Sequence, residues 1–262
     1  MPKTGPSIAL RPSIEEGVLH CVVSDATRGN SLSGPSIAGA LDYIRGSGPG
    51  TQVRAILLTG GDNFCNGGDV TAFAAAIDPG QFVGDLAERF HEFILALTEA
   101  PVPVVAAVRG WAAGAGMSIA CASDIVVAGP SSGFLPAYGG LGFSPDGGMT
   151  WTLARKIGAG RAADTLLTGT AIEGGRARDI GLVTRFVGDT EIEGTARLVA
   201  SRIARGSATA AAATKRLLTQ SALSSFAEHL QREAESISGA ARSEDGREGV
   251  SAFVARRKPK FA

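Results

Sequence analysis

The chain has 262 residues, with 25 Lys and Arg against 25 Asp and Glu, so its formal net charge is zero. This balance argues against a general nucleic-acid binder, because affinity for a phosphate backbone normally requires a basic excess over a domain. The length is that of one large domain, or of one domain with an appendage. Glycine, at 36 residues, is about twice as frequent as in an average protein, and we expect its clusters to mark tight loops.

Cysteine usage and the most apolar segments indicate a cytoplasmic protein. Cys21, Cys65 and Cys121 lie far apart without a CxxC spacing, which predicts neither a zinc site nor a disulfide framework. Residues 1–12 lack the apolar core of a signal peptide. The apolar stretch at 102–122 is interrupted by a proline, an arginine and several glycines, so we do not expect it to span a membrane.

The first half of the chain alternates between strand and helix patterns. In chain order, these patterns predict a strand over 18–23, a helix over 35–45, a strand over 55–59, a helix from 83 to the residue before Pro101, and a strand over 104–108. The long helix carries an apolar stripe at Leu86, Phe90, Phe93 and Leu97. Such alternation predicts an α/β core with parallel strand pairing.

The second half of the chain reads mainly as helices. The predicted helices cover 146–156, 161–168, 191–204, 208–221 and 223–238. In the last of them, Phe226, Leu230, Ala234 and Ile237 form an apolar stripe. Because little sheet remains for these helices to cover, we expect them to pack against a neighbouring subunit. We therefore divide the chain into a core over 1–195 and a helical oligomerisation region over 196–262.

Two glycine-rich loops each follow a predicted strand, at residues 60–69 and 110–118. Neither is a P-loop or a GxGxxG dinucleotide fingerprint. Both offer unpaired backbone N–H groups, and the second loop offers them at the N-terminus of a helix. Two such N–H groups that converge on one point form an oxyanion hole. Taken alone, each loop is better described as a tight turn with no chemical role.

Six segments, in this order, resemble the crotonase superfamily of enoyl-CoA hydratases and isomerases: NSL at 30–32, FCNGGD at 64–69, VRGWAAGAG at 108–116, CASDI at 121–125, GFSPDGG at 142–148 and REGVSAF at 247–253. The resemblance covers nearly the whole chain, and its pattern is most like the phenylacetate-pathway isomerase branch. It implies a spiral of ββα units with a C-terminal helical trimerisation region. It also implies an acyl-CoA substrate, a homotrimer or dimer of trimers, and no cofactor beyond the CoA of the substrate.

The same resemblance implies roles for individual residues. By position, the N–H groups of Gly68 and Ala115 would bind the thioester oxygen. The two places where hydratases of the family carry glutamates are occupied here by Ser118 and Tyr138. Addition of water requires one group to take a proton and another to give one, so these positions argue against ordinary hydratase chemistry. Asp146 occupies the place of the acting aspartate in several isomerases and is implied as the acid/base.

Asp146 also has a purely structural interpretation. Ser144 is a good helix N-cap and Pro145 suits the first helical position. An acidic residue in the first turn would then complement the helix dipole. The family position favours the catalytic role over this local one.

Binding of the CoA moiety is assigned by the resemblance to a larger set of residues: Arg28, Asn30, Asn66, Gly67, Asp69, Phe253 and Arg256. Asp69 is also expected to order its loop through side-chain to backbone bonds. Phe253 and Arg256 are expected near the adenine of CoA bound to an adjoining subunit. The basic tail at 256–260 is either a contact for CoA phosphates or a solvated end.

Other candidates keep two interpretations each. His91 corresponds to the region from which aryl-CoA dehalogenases of the family take a histidine, and it is otherwise a helix-surface residue. Trp111 and Phe143 either line an acyl pocket or belong to the core. For the whole chain, three functions stay open: double-bond isomerisation through Asp146, hydration by a carboxylate outside the family positions, and acyl-CoA binding without catalysis.

Overall fold

A computed structural model describes residues 11–48, 50–221 and 223–261 of the chain. Residues 1–10, on which the prediction about a signal peptide mainly rests, lie outside these ranges, as does residue 49 in the predicted break after the first helix. In chain order, the strands of the described residues are β1 (Ser13–Glu15), β2 (Val18–Val22), β3 (Ser24–Asp25), β4 (Ser31–Leu32), β5 (Ala55–Thr59), β6 (Val104–Val108), β7 (Trp111–Ala113), β8 (Ile125–Ala128), β9 (Gly133–Leu135), β10 (Ile172–Glu173) and β11 (Arg185–Phe186).

Helices cover most of the second half of the chain, as the sequence predicts. The α-helices of the described residues are α1 (Gly34–Arg45), α2 (Val70–Ala75), α3 (Pro79–Glu99), α4 (Ala115–Ala122), α5 (Met149–Ile157), α6 (Ala159–Thr168), α7 (Gly174–Asp179), α8 (Ile192–Ala204), α9 (Ala208–Ser221), α10 (Phe226–Arg242) and α11 (Glu244–Val254). The predicted helices at 35–45 and 208–221 are confirmed almost to the residue.

The main sheet has the strand order β1-β2-β5-β6-β8-β11, and every neighbouring pair except β1 and β2 is parallel. This confirms the predicted parallel α/β core. All residues of β6 are buried, since parallel sheets are covered on both faces. A smaller sheet has the order β10-β9-β7, with β7 and β9 parallel. Its strand β7 connects β6 of the main sheet to α4.

The main sheet separates two apolar layers. On one side, residues of α1, α3 and α4 join the largest core cluster. On the other side, Ala196, Ala200 and Ala204 of α8 pack with Leu57 of β5 and Val105 of β6. The predicted boundary between core and oligomerisation region, at 195/196, therefore falls within α8, a helix that packs on the main sheet. In the described residues, α9, α10 and α11 are the helices that follow α8.

Two helical predictions are corrected by the structure. Leu86 of the predicted stripe is 39% exposed, because the buried face of α3 begins only at Phe90. α5 begins at Met149, three residues later than predicted. Gly147 and Gly148 have φ of 59° and 69°, a left-handed conformation that a right-handed helix excludes. Asp146 therefore lies in the turn before α5 and not in its first turn.

The apolar stripe of α10 faces away from the rest of the chain. Phe226, Leu230 and Ile237 are 77%, 48% and 73% exposed, and no residue of α10 is buried. The packing of this helix against another subunit stays a prediction. Over the described residues, no helix combines the length and the apolar character that crossing a membrane requires.

An ion pair between the buried Lys215 and the partly exposed Asp124 fastens α9 to the core. The Lys215 ammonium is 3.0 Å from Oδ2 of Asp124 and donates hydrogen bonds to the carbonyl oxygens of Leu97 and Val102, at 2.7 and 3.1 Å. Asp124 in turn accepts a bond from the backbone N–H of Val104 at 2.7 Å. Burial lowers the pKa of Lys215, and the Asp124 carboxylate opposes that shift. The pair joins α9 to the end of α3 and to the start of β6.

Replacing Lys215 with Met is expected to lower the free energy of unfolding by about 3 kcal/mol, because it leaves the Leu97 and Val102 carbonyl groups without this donor and removes the cation beside Asp124. Urea denaturation at one protein concentration measures this change. Arg216→Met, at the next and exposed position of α9, is the matched control and should change stability by less than about 0.5 kcal/mol. Equal stability of the two variants would contradict the anchoring role of Lys215.

Candidate functional site

The two glycine-rich loops lie side by side because their main chains pair with each other. The backbone N–H of Cys65 donates to the Trp111 carbonyl at 3.1 Å, and the backbone N–H of Ala113 donates to the Cys65 carbonyl at 2.8 Å. These bonds continue the parallel pairing of β5 with β6. A Cβ on Gly116 would overlap the Cys65 carbonyl oxygen, so the start of α4 lies directly against the first loop.

This pairing brings the two predicted N–H donors into one region. A Cβ built on Gly67 would lie 3.7 Å from the Ala115 nitrogen, and the φ of Gly67 is 91°. Ala115 is the first residue of α4, where helical N–H groups have no acceptor within the helix. Among the described residues, neither Gly68 nor Ala115 donates its N–H to another main-chain group. Both amides are thus available to an external oxygen.

Asp146 is fixed beside the first turn of α4. The Tyr138 hydroxyl donates to Oδ1 of Asp146 at 2.6 Å, and the Ser118 hydroxyl lies 3.0 Å from the Asp146 carbonyl oxygen. Ser118 follows Ala115 by three residues on α4, which is about 4.5 Å along the helix axis. The carboxylate-bearing turn and the helical N–H donor are therefore about one helical turn apart.

Tyr138 and Ser118 also contact each other, with 3.2 Å between their hydroxyl oxygens. Ser118 is fully buried and Tyr138 is partly buried. Burial and the neighbouring Asp146 charge raise the pKa of Tyr138 above its usual value. The phenol therefore stays protonated and acts as a donor. Sequence reasoning noticed these two residues only as positions that lack a glutamate.

His91 of α3 lies next to the turn that carries Asp146. Its side chain is exposed, as the surface interpretation predicts, but its Nε2 accepts a hydrogen bond of 3.1 Å from the backbone N–H of Gly147. A Cβ on Gly147 would overlap the Phe90 ring and lie 2.8 Å from Cβ of Ser118. The turn that carries Asp146 is thus packed between α3 and α4.

Aromatic side chains lie next to Gly68 of the first loop and next to Tyr138. A Cβ on Gly68 would overlap the tip of the Phe73 ring, and Phe73 lies 6.4 Å from Phe143 and 6.2 Å from Phe82 between ring centroids. Phe143 is 43% exposed, and its N–H donates to the Tyr138 carbonyl. Of the two predicted pocket residues, Phe143 belongs to this cluster, whereas the Trp111 ring covers Gly133 of β9. Sequence reasoning missed Phe73, which no motif marks.

Five of the predicted CoA-binding residues lie together: Arg28, Asn30, Asn66, Gly67 and Asp69. The Arg28 guanidinium is 2.5 Å from Oδ2 of Asp69, while Oδ1 of Asp69 accepts from the N–H groups of residues 71 and 72 at the start of α2. The Asn30 carbonyl accepts from the N–H of Asn66 at 2.8 Å, and the Gly67 carbonyl accepts from residue 32 at 2.7 Å. The two bonds that Asp69 accepts from residues 71 and 72 confirm the predicted ordering of its loop.

The other two predicted residues, Phe253 and Arg256, lie at the end of α11. Phe253 is 84% exposed, and Arg256 is exposed as well. In the described part of this chain, neither makes a side-chain hydrogen bond to the cluster around Arg28. Within the basic tail, Arg257 is engaged by the chain itself, since its guanidinium binds both carboxylate oxygens of Glu248 at 2.6 and 2.7 Å. This contact lowers the pKa of Glu248 to about 2.

All three cysteines are free and buried. Burial raises the pKa of each thiol to about 12, so none is a thiolate nucleophile at neutral pH. Cys65 contributes to the site through its main chain only.

Known proteins resemble the chain over nearly its whole length. A family model described as enoyl-CoA hydratase/isomerase matches residues 13–262. The 1,2-epoxyphenylacetyl-CoA isomerase of Escherichia coli K12 is 33% identical over 253 residues, covering 95% of this chain and 96% of the relative. The 2,3-dehydroadipyl-CoA hydratase of the same organism is 30% identical over 251 residues, covering 95% and 96%.

Solved structures agree with this likeness. The crystal structure of an enoyl-CoA hydratase from Polaromonas sp. JS666 superposes with a TM-score of 0.89 at 29% identity, covering 96% of this chain and 98% of that one. The predicted crotonase-like fold is thereby confirmed. The relatives include a protein named as an isomerase and others named as hydratases, so their names alone do not choose between the two reactions.

Gly116→Ala is expected to lower the free energy of unfolding by about 2 kcal/mol, because the added methyl group must displace the Cys65 carbonyl. Urea denaturation measures the change. Gly160→Ala in α6, where a Cβ meets nothing within 4 Å, is the control and should leave stability unchanged or slightly raised. A Gly116 variant as stable as this control would show that the two loops are less tightly packed than described.

Proposed function

The chain belongs to the enoyl-CoA hydratase/isomerase family, and within it we propose that this protein is an isomerase that moves the double bond of an enoyl-CoA thioester by proton transfer. The observation that carries the proposal is the Asp146 carboxylate, held by Tyr138 beside the first turn of α4. The two positions where a hydratase of the family would place glutamates carry the hydroxyl groups of Ser118 and Tyr138. One carboxylate is enough for an allylic shift, whereas the family's hydration uses two.

The first step is removal of a proton from C2 of a 3-enoyl thioester by Asp146. The electron pair left on C2 delocalises into the thioester carbonyl, so negative charge develops on its oxygen. The N–H groups of Gly68 and Ala115 are available to bind this oxyanion. Loss of one such donor in other enzymes costs about 3 kcal/mol of transition-state stabilisation.

The second step returns the same proton to C4. The dienolate places electron density at C4 as well as at C2, so protonation there gives the conjugated 2-enoyl thioester and restores the Asp146 carboxylate. Oδ1 of Asp146 is occupied by the Tyr138 hydroxyl, whereas Oδ2 has no partner among the described residues. We therefore assign proton transfer to Oδ2. Phe73 and Phe143 are placed to shield this reaction from water.

The CoA moiety is proposed to bind at the cluster around Arg28. The Arg28 side chain is 61% exposed although it is paired with Asp69, so its charge is accessible to a phosphate group. Asn30, Asn66 and Gly67 shape the loop beside it. Phe253 and Arg256 are proposed to contact CoA that is bound to a neighbouring subunit, which agrees with their exposure at the end of α11.

A homotrimer, or a dimer of trimers, in the cytoplasm is proposed as the working form. The exposed apolar side chains of α10 support it, because a large apolar patch that a single chain leaves uncovered commonly marks an interface. Replacing both Phe226 and Ile237 with Glu is expected to shift the chain towards monomers in sedimentation equilibrium. The exposed substitution Glu235→Gln on the same helix is the control. An unchanged mass in the double variant would exclude this face as the interface.

Asp146→Asn is expected to lower kcat for conversion of 3-hexenoyl-CoA into 2-hexenoyl-CoA by at least about 100-fold, with binding of the thioester retained. The rise in absorbance of the conjugated thioester measures turnover, and calorimetric titration measures binding. Asp164→Asn, at an exposed position of α6, is the matched control and should keep the activity of the original chain. Near-original turnover in the Asp146 variant would remove Asp146 from the mechanism.

The same assay separates the two alternatives. Absorbance of 2-hexenoyl-CoA falls if the protein adds water, which would establish a hydratase. Binding of both thioesters without exchange of the C2 proton in deuterated water would instead establish a non-catalytic acyl-CoA binder.

A further inference from the structure

We propose that Tyr138 is a positioning residue for Asp146: its hydroxyl occupies Oδ1 of the carboxylate and thereby confines proton transfer to Oδ2. This inference rests on the proposed isomerase function. It concerns a residue that neither abstracts a proton from the substrate nor binds CoA.

The geometry assigns the hydroxyl hydrogen of Tyr138. It is a single hydrogen, and the shortest contact of the phenol is the 2.6 Å bond to Oδ1 of Asp146. An ionised carboxylate is an acceptor only, so the phenol is the donor. Ser118 also has one hydrogen, and three oxygens lie within its reach: the Asp146 carbonyl at 3.0 Å, the Tyr138 hydroxyl at 3.2 Å and the Gly114 carbonyl at 3.4 Å.

Ser118 holds the tyrosine and the aspartate in one frame. It is fully buried on α4, and its hydroxyl contacts both the Tyr138 hydroxyl and the Asp146 main chain. The N–H of Phe143 donates to the carbonyl oxygen of Tyr138, which closes the loop between Tyr138 and Asp146. The phenol and the carboxylate are therefore fixed to each other and to the helix whose first N–H is proposed to bind the substrate.

Two consequences follow for the reaction. The Tyr138 hydroxyl donates to Oδ1 of Asp146, so this oxygen is occupied and Oδ2 is the oxygen that meets the substrate. Because burial and the Asp146 charge raise the pKa of Tyr138, the phenol does not ionise near neutral pH and remains a donor in both steps. A single free oxygen must then reach both C2 and C4, and its position is set by the tyrosine.

The test is the separate measurement of kcat and KM for isomerisation of 3-hexenoyl-CoA by Tyr138→Phe. Without the phenol, Oδ1 of Asp146 loses its donor and the carboxylate is no longer held in one orientation. We expect kcat to fall about tenfold or more while KM stays nearly constant, because Tyr138 is not among the residues proposed to bind the CoA moiety.

Tyr43→Phe is the matched control, since Tyr43 lies on α1, is 43% exposed and makes no side-chain hydrogen bond within the described residues. Its kcat and KM should both equal those of the original chain. Ser118→Ala keeps the phenol but removes the hydroxyl that contacts it at 3.2 Å, and it should lower kcat by a smaller factor, again with little change in KM. This second variant keeps the proposal testable if Tyr138→Phe does not fold.

The outcomes distinguish this inference from the proposed function. If Asp146→Asn is inactive but Tyr138→Phe and Ser118→Ala keep the kcat of the original chain, the positioning role is wrong and the isomerase mechanism stands. If Asp146→Asn retains its activity, the isomerase mechanism itself is wrong. A loss of stability in Tyr138→Phe with an unchanged kcat would likewise overturn the inference, because it would give Tyr138 a structural role only.

Discussion

The main-chain pairing of Cys65 with Trp111 and Ala113 is the constraint on which the site depends. It extends two neighbouring parallel strands beyond the sheet, so that the loops that follow them are held at van der Waals distance. The glycines at 67 and 116 are required here because a side chain at either place would meet main-chain atoms of the other loop. The donors proposed here are main-chain N–H groups, so they do not depend on a particular side chain. A substitution other than proline can displace such a donor but not remove it.

Around this fixed frame, the side chains decide which reaction is possible. The first turn of α4 and the segment after β9 carry Ser118 and Tyr138, which are neutral and contact each other. The single carboxylate comes from the turn before α5, and that turn is held by α3 through His91 and by α4 through Ser118. The proposed set of one acid/base group and two oxyanion donors suits transfer of one proton between two carbons of the same substrate. Activation of water by paired carboxylates is not what this set of residues offers.

Much of the fold was predictable because its signals are local. The buried strands 55–59 and 104–108 are continuous apolar runs, and α1 and α9 are bounded by residues that favour helix ends. The predicted start of α5 was wrong because Ser144 and Pro145 look like the beginning of a helix in sequence, whereas Gly147 and Gly148 adopt left-handed conformations that exclude a helix there. Leu86 was assigned to the apolar stripe of α3 from its spacing alone, but the core does not extend to that end of the helix.

The site was predictable only in part, for a similar reason. The glycine loops and Asp146 belong to motifs that are continuous in the chain, and so does the Asp69 cap. The bond between Tyr138 and Asp146 spans a loop whose path depends on long-range packing, and the contact of His91 with Gly147 joins residues 56 positions apart. The Phe73 ring reaches Gly68 from a helix that no motif marks. Such contacts are visible only once the tertiary structure is known.

The most direct test of the central claim is the carbonyl stretching frequency of a bound substrate. Isotope-edited infrared difference spectroscopy of Asp146→Asn with 3-hexenoyl-CoA, labelled with carbon-13 at the thioester carbonyl, reports the hydrogen bonding of that oxygen before any proton is transferred. The account predicts that the band moves to lower frequency on binding, because two amide donors polarise the carbonyl. A bound thioester whose carbonyl band stays at its frequency in water, or moves higher, would contradict it.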